Sequence, residues 1–289
     1  ALLLWQWDRL VPPPDPGSAP PVRRLDWVRL VPDTVAIDGA TGYPFAVTDK
    51  VLGIDFRLVR AGTFVMGSPA EEAGREAQEA PHAVRVTRSF WLGVFEVTQK
   101  QWQSVMGQNP SRFSPGGDEL PVESVTWFEV KEFLARLTAL SSGSRFRLPT
   151  EAEWEYACRA GTTTPFSFGA TISTAQANYD GNYTYGAGKK GEYRQKTVPV
   201  GSFPANAFGL HDMHGNVWEW CEDVWNGNYN GAPSDGSAWL TGQSSIRVLR
   251  GGSWFYIPRG LRSAGRGRYI PDNRIISVGF RVARTVLPR

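Results

Sequence analysis

The chain contains few of the side chains that bind transition metals. Its 289 residues include two cysteines, Cys158 and Cys221, and three histidines, His82, His211 and His214. Two cysteines exclude a structural zinc site built from four thiolates. They fit either a disulfide or a pair of buried free thiols, and the sequence does not decide between the two. The histidines suit ordinary polar positions in loops better than metal ligation.

Long apolar runs are also absent. No stretch approaches the roughly 18 consecutive apolar residues of a membrane-spanning helix, so the sequence predicts no membrane span. The sequence begins Ala1-Leu2-Leu3-Leu4-Trp5, without methionine. An apolar start of this kind is typical of the end of a removed targeting segment, and equally of a shortened sequence. We therefore expect an exported protein.

Lysine is missing from the last part of the chain, where arginine takes its place. Residues 246–289 contain ten Arg and one acid, Asp272, for a net charge of +9. Because the whole chain carries +3, the first 245 residues carry −6. These arginines suit either an anion site or, more commonly, ion pairs with acids elsewhere in the fold. No basic helix or known nucleic-acid motif accompanies them, so nucleic-acid binding is not expected.

Tryptophan, glycine and proline are abundant, at 12, 31 and 21 residues. This composition predicts a loop-rich fold whose irregular backbone is held by aromatic packing. Residues 11–22 are rich in proline, which predicts an extended and semi-rigid segment. We predict an N-terminal extension over residues 1–50 and one compact domain over residues 51–289.

Local patterns predict three helices and several short strands. Thr98, Thr126 and Thr150 are each followed three residues later by Gln or Glu, the capping-box pattern that begins a helix. Alternating apolar residues predict two strands around Ala61-Gly62, further strands over residues 82–97, and a closing strand at residues 279–283. Because strands and helices do not alternate regularly, the pattern indicates an α+β fold.

The most distinctive stretch is GLHDMHGNVWEWCED, residues 209–223, which combines acids, a Gly-Asn turn and two tryptophans. It belongs to a set of motifs in a fixed order. The others are FVMGSP from Phe64, FEVTQKQW from Phe95, PVESVTW from Pro121, RLPTEAEWEYACRAGT from Arg147, RVLRGGSW from Arg247 and GFRVAR from Gly279. Together they resemble the formylglycine-generating enzyme family, also called sulfatase-modifying factors. The resemblance implies a single compact α+β domain, related to C-type lectins and poor in regular secondary structure.

The resemblance stops short of the family's chemistry. Catalytic members bind copper through two cysteines between the GGS motif and a following Arg. Here that stretch is GGSWFYIPRGLRSAGR, residues 251–266, and it contains no cysteine. The second catalytic cysteine aligns with Ser263 and the first falls near Pro258. A hydroxyl does not replace a thiolate as a soft Cu(I) ligand, so we expect no catalytic residues, no copper and no formylglycine formation.

Calcium is the metal that the resemblance implies. One site would use the side chains of Asp212 and Glu219 and the carbonyl groups of Gly215 and Val217. A second, more weakly matched site would use Asn178, the Tyr179 carbonyl, Glu192 and the Arg194 carbonyl. Hard oxygen donors of this kind suit Ca²⁺. The alternative is that the acids cap turns and pair with arginines.

A substrate groove is also implied, lined here by Trp218, Ser253, Trp254, Ser263 and Arg266. In the enzymes this groove holds an extended peptide, and Trp and Arg also dominate protein interfaces. We therefore predict a non-catalytic, calcium-stabilised module of the bacterial periplasm that binds a protein or an extended peptide.

Two roles are consistent with this resemblance. The first is that of a periplasmic family member that promotes activation of a threonine kinase controlling type VI secretion, which would make the extracytoplasmic part of a membrane kinase the partner. The alternative is an oxidase-like enzyme of periplasmic siderophore maturation, of the pyoverdine type.

Overall fold

The computed structural model describes residues 25–30, 36–114, 117–141, 145–242 and 245–286. The Pro-rich segment at residues 11–22 lies outside these ranges. Three α-helices occur in the described residues: α1 (Gln99–Met106), α2 (Trp127–Leu140) and α3 (Glu151–Arg159). No helix in this part of the chain is long and apolar enough to cross a membrane.

All three helices begin at the predicted capping boxes. The side chains of Thr98, Thr126 and Thr150 each accept a hydrogen bond from the backbone N–H three residues on, and the Gln or Glu there accepts one from the threonine N–H. Two unpaired N–H groups are thereby satisfied at each helix start. Helix α1 ends at Gly107 and α3 at Ala160, both in the left-handed conformation.

Twelve short strands form three sheets in the described residues. They are β1 (Val28–Leu30), β2 (Ala46–Asp49), β3 (Asp55–Val59), β4 (Gly62–Met66), β5 (His82–Val86), β6 (Phe90–Gly93), β7 (Phe146–Arg147), β8 (Trp218–Val224), β9 (Arg247–Arg250), β10 (Arg266–Tyr269), β11 (Val278–Gly279) and β12 (Ala283–Thr285). Helices and strands of this length, joined by long ordered loops, confirm the predicted α+β class.

The largest sheet is antiparallel and has the strand order β1-β2-β3-β6-β12-β7. Its first two strands come from the predicted N-terminal extension, and Trp27 and Val47 belong to the main core. The boundary predicted at residue 51 therefore falls between two paired strands of one sheet. The sequence signal was weak there because β1 and β2 are only three and four residues long.

A four-stranded sheet, ordered β10-β9-β8-β11, positions the distinctive motif. Strand β8 carries the sequence WEWCEDV and is buried along nearly its whole length. The predicted pair around Ala61-Gly62 exists as β3 and β4, but β4 pairs with β5 in a separate two-stranded sheet. The predicted closing strand at residues 279–283 is instead the buried crossing between β11 and β12, which belong to different sheets. The C-terminal segment thus ties the two larger sheets together.

Aromatic side chains fill the main core, as the composition predicted. Trp102 stacks on Phe133 with ring centroids 5.3 Å apart, and the ring of Phe280 meets both edge-on. On α2 the buried residues Val130, Phe133, Leu134 and Leu137 recur every three or four positions, so they lie on one face of the helix. Short elements are held in place by this packing rather than by their own helix or strand propensity.

Candidate functional site

The distinctive motif forms a tight loop that leads into β8. Asp212, Gly215 and Asn216 all have positive φ angles, of 57°, 98° and 59°. Gly, Asn and Asp are the residues that adopt this left-handed conformation most readily, and all three positions carry one of them. The backbone N–H of Gly201 donates a hydrogen bond of 2.6 Å to Asp212 Oδ2. Asp212 Oδ1 is buried and has no hydrogen-bond partner within the described structure.

Glu219 is already held by cationic and neutral donors. Arg281 forms a two-pronged ion pair with it, at 2.7 Å from Nε to Oε2 and 2.6 Å from Nη2 to Oε1. The indole N–H of Trp154 donates to the same Oε2 at 2.8 Å. All three side chains are fully buried. The Glu219 carboxylate is therefore committed to fixing β8 against α3 and the C-terminal segment.

Glu96 joins this cluster, although the sequence gave no reason to include it among the site residues. The side chain of Asn216 donates to Glu96 Oε2 at 2.9 Å, and the Val217 N–H donates to Oε1 at 3.3 Å. Burial raises the pKa of Glu96 well above its usual value, and the charges of Asp212 and Glu219 raise it further. Burial likewise raises the pKa of Asp212 to about 6. Glu96 lies in FEVTQKQW, so motif membership was the one signal that could have identified it.

The fit of calcium to the first predicted site is favourable in charge and incomplete in ligands. When ionised, Glu96, Asp212 and Glu219 carry −3 against the single positive charge of Arg281, an imbalance that a divalent cation would offset. Asp212 Oδ1 offers a free buried oxygen, whereas Glu219 faces Arg281. In the part of the chain described, no three Asp, Glu, His or Cys side chains are arranged to hold a metal ion. A calcium ion here would thus depend on backbone carbonyl groups such as those of Gly215 and Val217.

The second predicted calcium site has one matching feature. Asn178 is buried, and its Oδ1 has no partner among the described residues, while its Nδ2 donates to the Lys196 carbonyl at 2.9 Å. Glu192 is exposed and pairs with Arg194 at 3.1 Å. Tyr179 is buried, and its hydroxyl donates to the Ile172 carbonyl at 3.3 Å. Only Asn178 thus presents a free buried side-chain oxygen at this site.

A groove of about 400 Å³ opens beside β8 and β10. Of the predicted lining residues, Trp218, Ser253 and Arg266 are there. The other aromatic residues of the lining are Trp225, Phe255, Tyr256 and Tyr269. The ring of Trp218 lies over Gly267, where an added Cβ would come within 2.9 Å of the indole. Glycine at position 267 therefore gives the tryptophan room to form the floor of the groove.

Arg266 is fixed in the groove wall by a buried ion pair. Its Nε and Nη2 donate to the two carboxylate oxygens of Glu151, at 2.7 and 3.0 Å. Its guanidinium also lies 4.3 Å from the ring centroids of both Trp225 and Tyr229. Because its charge is neutralised and its position set by α3, Arg266 builds the wall and is not a mobile ligand-binding group.

Trp254 and Ser263 do not line this groove, contrary to the prediction. Trp254 is buried against Phe113, with ring centroids 5.5 Å apart, and its indole N–H donates to the Ile276 carbonyl at 3.2 Å. Ser263 is fully buried on the inner side of its loop, where its backbone N–H donates to Pro165. The short turn at Pro258–Leu261 directs the chain inward before residue 263, which spacing along the sequence could not reveal.

The two cysteines are buried free thiols, which decides between the two alternatives left open by the sequence. Cys158 lies 3.7 Å from His214 Nε2, in a Cys–His arrangement that resembles a nucleophilic pair. Burial raises the pKa of Cys158 to about 12 and lowers that of His214 to about 4. A protonated thiol beside a neutral imidazole, both out of contact with solvent, does not act as a nucleophile.

The histidines serve structural roles at the positions seen here. His214 Nδ1 lies 2.7 Å from the Leu261 carbonyl oxygen, which can only accept, so Nδ1 carries the proton. Nε2 then accepts a hydrogen bond from the Ser167 backbone N–H at 3.1 Å. His211 Nδ1 is similarly placed, 2.7 Å from the Phe203 carbonyl oxygen. His211 and His214 therefore lie in loops, as predicted, whereas His82 is the first residue of β5.

Comparison with known proteins identifies the family. Residues 48–286 match the sulfatase-modifying factor enzyme 1-like domain. The chain belongs to this family. The resemblance drawn from the motifs is therefore confirmed, and so is the fold: PvdO from Pseudomonas aeruginosa has a similar structure, with a TM-score of 0.72 and 35% identity. The match covers 83% of this chain and 98% of PvdO.

Two curated relatives have other names. The serine/threonine-protein kinase pkn1 of Chlamydia caviae is 32% identical over 269 residues, which cover 83% of this chain and 39% of the kinase. The chaperone protein LppX of Paenibacillus barcinonensis is 30% identical over 240 residues, which cover 68% of this chain and 80% of the chaperone. The chain thus spans about two fifths of the kinase and most of the chaperone.

Proposed function

We propose that this family member is a non-catalytic, calcium-stabilised module that binds a protein partner in the bacterial periplasm. The groove carries the proposal, because five of its fifteen lining residues are aromatic and its buried arginine is already paired. The segment 251–266 contains no cysteine, and the two thiols of the chain are buried in the protonated state. Since the described lining of this cleft contains no Cys or His, the cleft suits binding better than turnover.

Calcium would contribute to folding in this proposal. The residues that would hold it are Asp212, Glu219 and the carbonyl groups of Gly215 and Val217, with Asn178 as the best-placed residue of a second site. The ion would supply positive charge to a buried carboxylate cluster. Since the same loop leads directly into Trp218 on β8, a stabilised loop would hold the groove floor in place.

The proposed partner is the extracytoplasmic part of a membrane threonine kinase, whose activation the module would promote in type VI secretion. One relative is named as a serine/threonine-protein kinase and another as a chaperone protein. Both names are consistent with a domain that acts on or beside other proteins. Neither name specifies a partner for this chain, so the kinase assignment depends on a direct binding measurement.

The test is binding of the purified full chain to the kinase's extracytoplasmic segment, measured by biolayer interferometry. Phe255→Ala and Tyr256→Ala remove exposed groove aromatics without opening the core, since these side chains are 61% and 40% exposed. We expect each to weaken binding at least about tenfold, as for interface hot spots. Phe128→Ala on α2, 51% exposed, is the matched control. Equal affinity for all four proteins would contradict a groove-mediated role.

The alternative is an oxidase-like enzyme of siderophore maturation, and the similarity to PvdO over 98% of that protein favours it. Metal analysis of the purified protein separates the two. Calcium without a redox metal supports the binding module. Stoichiometric copper or iron that is retained after dialysis would support the oxidase, provided that removal of the metal by a chelator also removes activity on a siderophore precursor. This result would overturn the binding proposal.

A further inference from the structure

Strand β10 borders the groove in an unusual way. It is the edge strand of the four-stranded sheet, paired with β9 on one side and with no other strand in the described residues. All four of its residues, Arg266 to Tyr269, line the groove. Successive side chains of a strand project to opposite faces of the sheet. A cavity lined by all four therefore reaches the free edge of the strand, and Trp218 on β8, Leu249 on β9 and Val278 on β11 extend it over one face of the sheet.

Two further features at this edge call for a ligand. The Ser253 hydroxyl is completely buried, lines the groove and has no hydrogen-bond partner among the described residues. Exposed apolar side chains also concentrate here: Phe255, Tyr256 and Tyr269 line the groove, and Ile270 and Ile276 flank its lining residues. An exposed apolar patch beside an unpaired strand edge is the surface that an added strand covers.

The charge of the groove specifies the partner further. Arg266 is neutralised by Glu151, and Glu76 is matched by Arg259 at 3.6 Å. Arg268 is exposed, lies 4.8 Å from the ring centroid of Trp225, and has no carboxylate partner in the described structure. One unbalanced positive charge thus remains on the Trp225 side of the edge, while the ring of Trp218 lies over Gly267 on the other side.

We propose that the groove binds an extended, acidic peptide segment as an additional β-strand along β10. The segment forms backbone hydrogen bonds to the free edge. Its apolar side chains contact Trp218, Tyr256 and Tyr269, and an alternate Asp or Glu pairs with Arg268. Strand addition to a free edge gives affinity through the main chain and specificity through alternate side chains. This inference rests on the proposed protein-binding function and defines the chemistry of the partner.

The probe is a fluorescein-labelled nonapeptide, Gly-Ser-Val-Glu-Phe-Glu-Val-Ser-Gly, titrated with the full chain and followed by fluorescence anisotropy. A second peptide replaces both Glu by Lys. Two further versions carry backbone N-methyl groups. One version is methylated at both Val and at Phe, and the other at both Glu. Since the N–H groups of alternate residues point to the same edge of a strand, each version lacks the hydrogen-bond donors of one edge. Strand addition predicts that one N-methylated form loses binding and the other keeps it.

Variants at Arg268 test the charge assignment. Arg268→Gln should weaken binding of the Glu peptide by about three- to fivefold, the range of an exposed ion pair. Arg268→Glu should reverse the preference in favour of the Lys peptide. Arg136→Gln, an exposed arginine on α2, should leave the affinity unchanged. Thermal melting of each variant checks that the fold is retained.

Several results would overturn the inference. These are equal binding of the two N-methylated forms, an unchanged Glu-over-Lys preference in Arg268→Gln, tight binding of oligothymidylate instead of the peptide, or self-association of the chain through Tyr256 and Tyr269 in sedimentation velocity. If the peptides fail but the kinase segment still binds in a Tyr256-dependent way, strand addition is wrong and the protein-binding function stands. If both fail, the proposed function fails with it.

Discussion

The Cys158 thiol lies 3.6 Å from the Ser263 hydroxyl oxygen and donates a hydrogen bond to it. The motif resemblance predicts that Ser263 takes the place of the second catalytic cysteine of the enzymes, and the thiol beside it comes from α3. Both side chains are completely buried. Neither the Cys158 thiol nor the Ser263 hydroxyl is therefore accessible from solvent.

The first prediction concerns thiol reactivity. Near pH 8, about the ordinary pKa of a cysteine thiol, the folded protein should be almost unreactive towards iodoacetamide. Burial raises the pKa of Cys158 to about 12 and raises that of Cys221 well above its usual value. Mass spectrometry should find both residues alkylated only after unfolding in urea. Rapid alkylation of Cys158 in the native state would show that the site opens.

The second prediction concerns acid stability. The folded pKa of His214 is about 4, below the ordinary value of 6.5, so between these values the unfolded chain binds a proton that the folded chain does not. The contribution of His214 to the free energy of unfolding should therefore fall by about 3 kcal/mol as the pH drops from 6.5 to 4. Burial raises the pKa of Asp212 to about 6 and that of Asp223 to about 7, and these two carboxyls act in the opposite direction. Urea titrations of the chain and of a His214 variant across this range isolate the histidine contribution.

Two variants isolate the contribution of His214. His214→Gln should be less stable than the unsubstituted chain at pH 7, because the buried hydrogen bonds change, and this difference should shrink as the pH falls from 6.5 to 4. His211→Gln, which replaces a half-buried ring, is the control and should follow the pH profile of the unsubstituted chain. An unaltered pH profile in His214→Gln would assign acid sensitivity to other groups.

The third prediction concerns the buried ion pair of Glu219 and Arg281. Arg281→Met removes the cation and leaves Glu96, Asp212 and Glu219 without it, so we expect a loss of about 3–5 kcal/mol in unfolding free energy. Arg274→Met breaks an ion pair with Glu129 that is about half exposed, and should cost no more than about 1 kcal/mol. Chemical denaturation compares the two. Similar losses in both variants would mean that the negative charge of the buried carboxylates is compensated in some other way, for example by protonation.

The fourth prediction concerns calcium. Added Ca²⁺ should raise the melting temperature of the chelator-treated protein, since a ligand at one hundred times its dissociation constant contributes about 2.7 kcal/mol. Asp212→Ala should abolish the increase, while Asp118→Ala, an exposed residue on the surface, should retain it. Differential scanning calorimetry with and without EGTA gives the result. A calcium response that survives Asp212→Ala would place the ion elsewhere, with Asn178 the next residue to replace.

Local sequence patterns predicted local structure well. The capping boxes at Thr98, Thr126 and Thr150 each begin a helix because the pattern is satisfied within four residues. The preference for ion-paired arginines also held, since Arg250, Arg262 and Arg281 pair with buried glutamates. The capping boxes depend only on neighbours in the sequence, and the arginine pairing follows from the general cost of burying an unpaired charge, although the sequence does not identify the partner.

What depends on long-range packing was missed. Strands β3 and β4 are consecutive, yet they belong to different sheets, because their partners are chosen by burial across the fold. Glu96 reaches the loop of Asn216 from a distant part of the chain. Ser263 turns inward where alignment placed it in the groove. The chain's path between motifs, which motif order does not encode, decides all three.

The ion pair of Arg266 with Glu151 has a consequence for how this domain can diversify. It anchors the groove wall to α3 from behind, while Phe255, Tyr256 and Tyr269 face solvent and contribute little to the core. Stability and selectivity are therefore carried by different residues. New partners can arise by exchange of a few rim side chains on an unchanged frame, which makes the groove a practical starting point for selecting binders from libraries randomised at those three positions.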